Sequence, residues 1–147
     1  MKSSLVIATL ILSSFLFGQE IKWLSLEEAS KEIKAHPEKP VLINFYTTWC
    51  GFCKRLDKET FANAQVSEYV NNNYIAVKFD AETKDMVKFM GIQYTYIAPA
   101  KANYLAYALT NGQLSYPATV LMNGKGDINK IVLGYRSSSD FITDIKI

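Results

Sequence analysis

The feature that most constrains this chain is a nearly unbroken apolar run, Pro40-Val41-Leu42-Ile43-Asn44-Phe45-Tyr46, that leads within three residues into Cys50-Gly51-Phe52-Cys53. A run of that length, rich in β-branched and aromatic residues and without polar alternation, reads as a central strand covered on both faces. The two cysteines then stand three residues apart on the first turn of a helix. That spacing puts both sulfurs on one side, close enough to form a disulfide without unfolding anything. These are the only two cysteines in 147 residues, so they act as a pair and not as part of a multi-disulfide scaffold. A structural zinc would need two further ligands, and the chain offers no other cysteine and a single histidine, His36.

Around this centre the pattern alternates between strand and helix. Ile21 to Leu24 reads as a short strand, and Ser25-Leu26-Glu27-Glu28 has the form of a capping box that starts a helix running to about Ala35. His36-Pro37 stops it, and His36 is expected at an exposed helix end. Beyond Cys53, Leu56, Phe61, Val66, Tyr69 and Val70 predict a helix interrupted near Asn63. Ile75 to Phe79 is a strand ended by Asp80. Thr83 to Met90 reads as a helix with Met86, Phe89 and Met90 on one side, closed by Gly91. Between Ile92 and Tyr116 no strand signal of comparable strength occurs; a helix is expected over Lys101 to Leu109, followed by the turn Asn111-Gly112. Pro117 to Met122 and Ile128 to Leu133 form a hairpin around Asn123-Gly124-Lys125-Gly126-Asp127, and Ser139 to Lys146 is a last helix.

One domain fits this length. Hydrophobic residues make up 49% of the chain and the formal charge is +2, which excludes a disordered chain and gives no reason to expect nucleic acid as a partner. Residues 1–18 are set apart. Lys2, the apolar stretch over 5–17 and the small Gly18 before Gln19-Glu20 have the layout of a secretory signal peptide, too short to span a bilayer as an ordinary helix. The segment is expected to be cleaved after Gly18 or kept as an N-terminal anchor, and either outcome exports residues 19–147 to the periplasm or an equivalent compartment.

The chemistry expected of Cys50 follows from its place. At a helix N-terminus it faces unpaired backbone N–H groups that stabilise a thiolate, the attacking species in disulfide exchange. Cys50 is therefore expected to be more exposed and more acidic than Cys53. Lys54 and Arg55 are expected to point to solvent. Gly51 leaves the approach open, and Phe52 offers an aromatic ring to a partner.

Trp49 before Cys50-Gly51-Phe52-Cys53, the buried strand before that, and Tyr116-Pro117 opening a later strand together resemble the thioredoxin superfamily. More closely, Asn44-Phe45-Tyr46 to Lys54, with Glu59-Thr60-Phe61 and Gln65-Val66, is similar to the C-terminal domain of membrane thiol:disulfide interchange reductases and related exported proteins. The resemblance implies a three-layer α/β/α sandwich with a mixed central sheet and a helical insertion, at about 92–116, before a cis-proline. It implies Cys50 as nucleophile, Cys53 as resolving thiol, and a substrate groove formed by Trp49, Gly51, Phe52, Tyr116 and Pro117. No cofactor and no metal follow from it. Protein disulfides are the implied substrates, a membrane or exported thiol-disulfide protein the implied electron donor, and a monomer the implied state.

Three departures from thioredoxin stand out, one of them Phe52 in place of the motif's proline, which removes a rigid residue and bears on the reduction potential. Asn44 occupies the place of a buried acid that accepts the resolving thiol's proton, which an amide cannot do. The segment 92–116 is longer than its counterpart by roughly twenty residues, the length at which loops are usually functional, and is expected to select the partner. A second activity from a different class remains open at this point, since two thiolates are soft enough to hold Cu(I) in a copper-binding protein.

Overall fold

A computed structural model describes residues 19–147; the expected signal segment, residues 1–18, lies outside the described residues. Helix α1 (Leu26–Ala35) begins at the expected capping box, with Glu28 N–H donating to Ser25 Oγ and the Glu28 carboxylate accepting from Ser25 N–H. Strand β1 (Val41–Tyr46) is buried along its length apart from its last residue. It runs parallel to β2 (Ile75–Asp80) on one side and antiparallel to β7 (Ala118–Met122) on the other. β8 (Ile128–Leu133) completes the mixed sheet in the order β2-β1-β7-β8.

The sheet's alternation divides the core. Val41, Ile43 and Phe45 face one layer with Ala29 and Ile33 of α1 and Phe89, Leu105 and Ala106. Leu42 faces the other with Leu56, Phe61, Val66, Val70, Phe141 and Ile145. Those residues lie on α2 (Gly51–Leu56), a π-helical turn (Asp57–Phe61), α3 (Ala64–Asn73) and α5 (Ser138–Ile145). Helices therefore cover both faces of the sheet, as the α/β/α reading requires. The expected break near Asn63 is the start of α3, where Asn63 Oδ1 accepts from Gln65 and Val66 N–H.

Between β2 and β7 the structure departs from the sequence reading. Thr83 to Met90 is not helical. Val87–Phe89 forms β3, paired antiparallel with β4 (Ile92–Tyr94) through a two-residue loop. Both loop residues, Met90 at φ 49° and Gly91 at φ 83°, sit in the left-handed region that such tight hairpins use. Met90 N–H is further anchored on Ser30 Oγ of α1 at 3.1 Å, and Met86, expected at a core-like position, is 64% exposed. The 92–116 segment also contains short strands β5 (Tyr96–Ile97) and β6 (Ala102–Asn103), paired with each other. Its helix, α4 (Tyr104–Leu109), starts later than Lys101 because Asn103 is the N-cap, its side-chain oxygen accepting from Leu105 N–H. Leu105 and Ala106 are fully buried in the main core, while Tyr104 and Tyr107 face outward. At the N-terminus, Ile21 to Leu24 makes no full strand; Leu24 alone forms a parallel bridge to Val77. Among the described residues no helix is long and apolar enough to cross a membrane.

Candidate active site

Cys50 is the N-cap of α2, with extended backbone, and its sulfur accepts the N–H of Cys53 at 3.1 Å. The two cysteines are joined as a disulfide with Cα atoms 5.3 Å apart. Cys50 is thus placed by β1, whose buried hydrogen-bonded ladder fixes where the strand ends, and by the Cys50 N–H donating to Thr47 O at 3.3 Å. The expected difference in exposure is not present: Cys50 is 4% and Cys53 3% exposed. Both sulfurs are committed to the disulfide under the start of the helix, and what distinguishes them is the backbone N–H directed at Cys50.

The neighbours expected at a substrate groove gather at this end of the sheet. Trp49, immediately before Cys50, and Phe52, between the two cysteines, are 66% and 61% exposed. At Gly51 an added methyl group would meet nothing within 4 Å, so the approach beside Cys50 is open. The Tyr116–Pro117 peptide bond is cis. Since Phe45 pairs with Ala118, the register places Pro117 level with Tyr46, the last residue of the strand that delivers Cys50. Pro117 O accepts from Gly134 N–H at 2.7 Å, which ties the β8–α5 connection to the same edge. Burial pushes the Tyr116 hydroxyl up to about 12, with the Glu82 and Asp80 carboxylates adding to it. Tyr116 is therefore a neutral hydrogen-bonding group at any physiological pH. Lys54 and Arg55 are exposed as expected; Arg55 stacks over Tyr135 at 4.4 Å and pairs with Glu59 at 3.0 Å.

Beneath α2 a polar row crosses three strands. Asn44 is register-paired with Lys78 on β2 and Thr119 on β7, on the face that carries Leu42 and α2. Asn44 is buried and donates to Thr119 Oγ1 at 3.1 Å. The Lys78 ammonium meets Asp57 of the π-turn at 2.6 Å and lies 5.1 Å from the Tyr46 ring. Burial raises the Tyr46 hydroxyl, as do the charges of Asp80 and Asp57.

Four residues here had no signal in the sequence. Glu82 accepts from the Trp49 indole N–H at 2.9 Å, Thr119 receives Asn44, Asp57 pairs with Lys78, and Asn103 joins the insertion to the loop after β2. Each depends on tertiary register across at least 18 residues. Among the described residues no three His, Cys, Asp or Glu side chains stand together as a metal-holding group.

A family model described as a thioredoxin-like domain matches residues 26–146, nearly all of the described chain. The chain belongs to the thioredoxin-like family. A thiol:disulfide interchange protein DsbD of Neisseria meningitidis is 26% identical over 110 residues, which cover 75% of this chain and 16% of that much longer protein. The oxidised C-terminal domain of Neisseria meningitidis DsbD has the same fold, with a TM-score of 0.55 at 22% identity over 80% of this chain and 86% of that one. A thioredoxin from Thermus thermophilus superimposes with a TM-score of 0.61 at 16% identity, covering 85% and 84% of the two chains. Within this thioredoxin-like domain the Cys50–Cys53 disulfide joins the N-cap and the first turn of α2.

Proposed function

We propose that this protein is an exported thiol-disulfide oxidoreductase that reduces disulfides of protein partners. The observation that carries the reading is the Cys50–Cys53 disulfide at the start of α2 with the Cys53 N–H directed at Cys50 Sγ. In the reduced protein the same N–H would stabilise a Cys50 thiolate, the species that attacks. Cys50 attacks one sulfur of the partner's disulfide, that S–S bond breaks, and a mixed disulfide forms as the partner's other sulfur leaves as thiolate. Cys53, once deprotonated, attacks Cys50 Sγ. The intramolecular disulfide forms, the second partner sulfur is released, and two electrons have passed to the partner. Asn44 cannot take up the Cys53 proton, so water is the acceptor.

Trp49, Phe52, Tyr116 and Pro117 form the surface against which the partner's chain lies, and the exposed tyrosines of 92–116 extend it. Export is supported by the layout of residues 1–18, and the reducing direction by the likeness to an interchange protein. A dithiol donor at the membrane or in the same compartment would restore the reduced pair. The domain is expected to work as a monomer.

The test is trapping. Cys53→Ser should accumulate mixed disulfides with protein partners, visible on a non-reducing gel and lost when reductant is added, whereas Cys50→Ser should accumulate none. Trapping by Cys50→Ser alone would reverse the roles, and wild-type protein unable to reduce insulin with dithiothreitol as donor would remove the reductase reading.

A further inference from the structure

Asn103, at the start of the inserted helix, is a fully buried polar residue.

 

Its contacts are what place it there. The backbone N–H donates to Ala81 O at 2.7 Å, and the side-chain amide donates to Asp85 O at 3.0 Å and Thr83 O at 3.4 Å. The amide oxygen accepts from Leu105 N–H at 3.1 Å and so caps α4. One buried side chain therefore holds the loop that follows β2 and starts the helix of the insertion.

That loop also carries Glu82, whose N–H is fixed on Asp80 Oδ1 at 3.0 Å and whose carboxylate accepts the Trp49 indole N–H at 2.9 Å. Trp49 is otherwise an exposed ring next to Cys50, so the position of Glu82 sets where the ring stands. On the other side of Asn103, the rings of Tyr104 and Tyr107 stack with centroids 6.1 Å apart, and Tyr94 stands 6.2 Å from Tyr104. We propose that Asn103 is a positioning residue for partner recognition: through the 81–85 loop and Glu82 it sets the Trp49 ring, and through its cap it holds the outward tyrosines at a fixed offset from that ring. The proposal rests on the reading of the protein as a reductase of protein disulfides. A partner chain covering the tyrosines then meets Trp49 and the disulfide at one defined spacing. This coupling belongs to the insertion.

Asn103→Ser separates the two duties, because serine still caps a helix but is too short to reach Thr83 O and Asp85 O. The first readout is the indole N–H resonance of Trp49, assigned by comparison with Trp49→Phe. In Asn103→Ser it should move from its wild-type position toward the position found in Glu82→Ala, where the acceptor is gone. The second is insulin reduction with dithiothreitol as donor, where KM should rise about five-fold while kcat changes less than about two-fold. An indole resonance unchanged from wild type, or a loss confined to kcat, would overturn the proposal. Should Asn103→Ser fail to fold, Asn103→Asp, which also caps without donating to the loop, takes its place; failure of both to fold would make Asn103 a residue of the core and overturn the proposal as well. The resonance needs no turnover, so wild-type protein that leaves insulin oxidised would defeat the reductase reading while the position of Trp49 in the variants still decides the role of Asn103.

Discussion

Asn44 of β1 donates to Thr119 Oγ1 of β7 at 3.1 Å, across the sheet face that the cysteine-bearing helix covers. The pair supplies a neutral polar contact where thioredoxin keeps an acid. Asn44→Asp would place a carboxyl there that is nearly out of contact with solvent, with Lys78 already committed to Asp57. Burial raises the folded-state pKa of such a group above its unfolded value, so the variant should match wild type most closely near pH 4 and lose stability as pH rises. At pH 8 the loss should be about 2 to 4 kcal/mol, read as a lower urea midpoint. The new base should also speed release of the mixed disulfide by at least roughly ten-fold above neutral pH. An unchanged midpoint together with an unchanged release rate would contradict the placement of this residue beneath the helix.

The outward face of α4 offers a second test. Shortening the insertion would be uninformative, since Leu105 and Ala106 belong to the core. Replacing Tyr104 and Tyr107 together by alanine removes only exposed rings, and the melting temperature should move by no more than about 2 °C. KM for a protein disulfide should rise about five-fold if these rings contact the partner. An unchanged KM would confine recognition to the immediate surroundings of the disulfide.

Much of this arrangement was legible in the residues. The uninterrupted Val41 to Tyr46 run located the central strand, Ser25 and Glu28 located α1, and the position of Asn44 relative to the cysteines followed from the continuity of strand and helix. The β3–β4 hairpin was not legible, because Met86, Phe89 and Met90 happen to recur at helical spacing. Two left-handed loop residues and a hydrogen bond from Met90 to Ser30, 60 positions away, decide the conformation there. The link from Trp49 to Glu82 was hidden for the same reason: it spans 33 positions and depends on how the loop after β2 is held.

Thr47, between β1 and Cys50, has a buried hydroxyl with no hydrogen-bond partner among the described residues. Thr47→Val keeps the shape and removes the unpaired polar atom. It should stabilise the protein by about 1 kcal/mol, measured by urea denaturation. A loss of similar size would mean that the hydroxyl is satisfied in solution.

The reducing direction is tested most directly by the reduction potential of the Cys50–Cys53 pair, measured by equilibration with dithiothreitol or glutathione buffers. A reductase of protein disulfides should lie closer to the potential of thioredoxin, about −270 mV, than to that of the oxidant DsbA, about −120 mV. A value on the oxidising side of about −180 mV, the potential of protein disulfide isomerase, would contradict the account and make the domain a donor of disulfides.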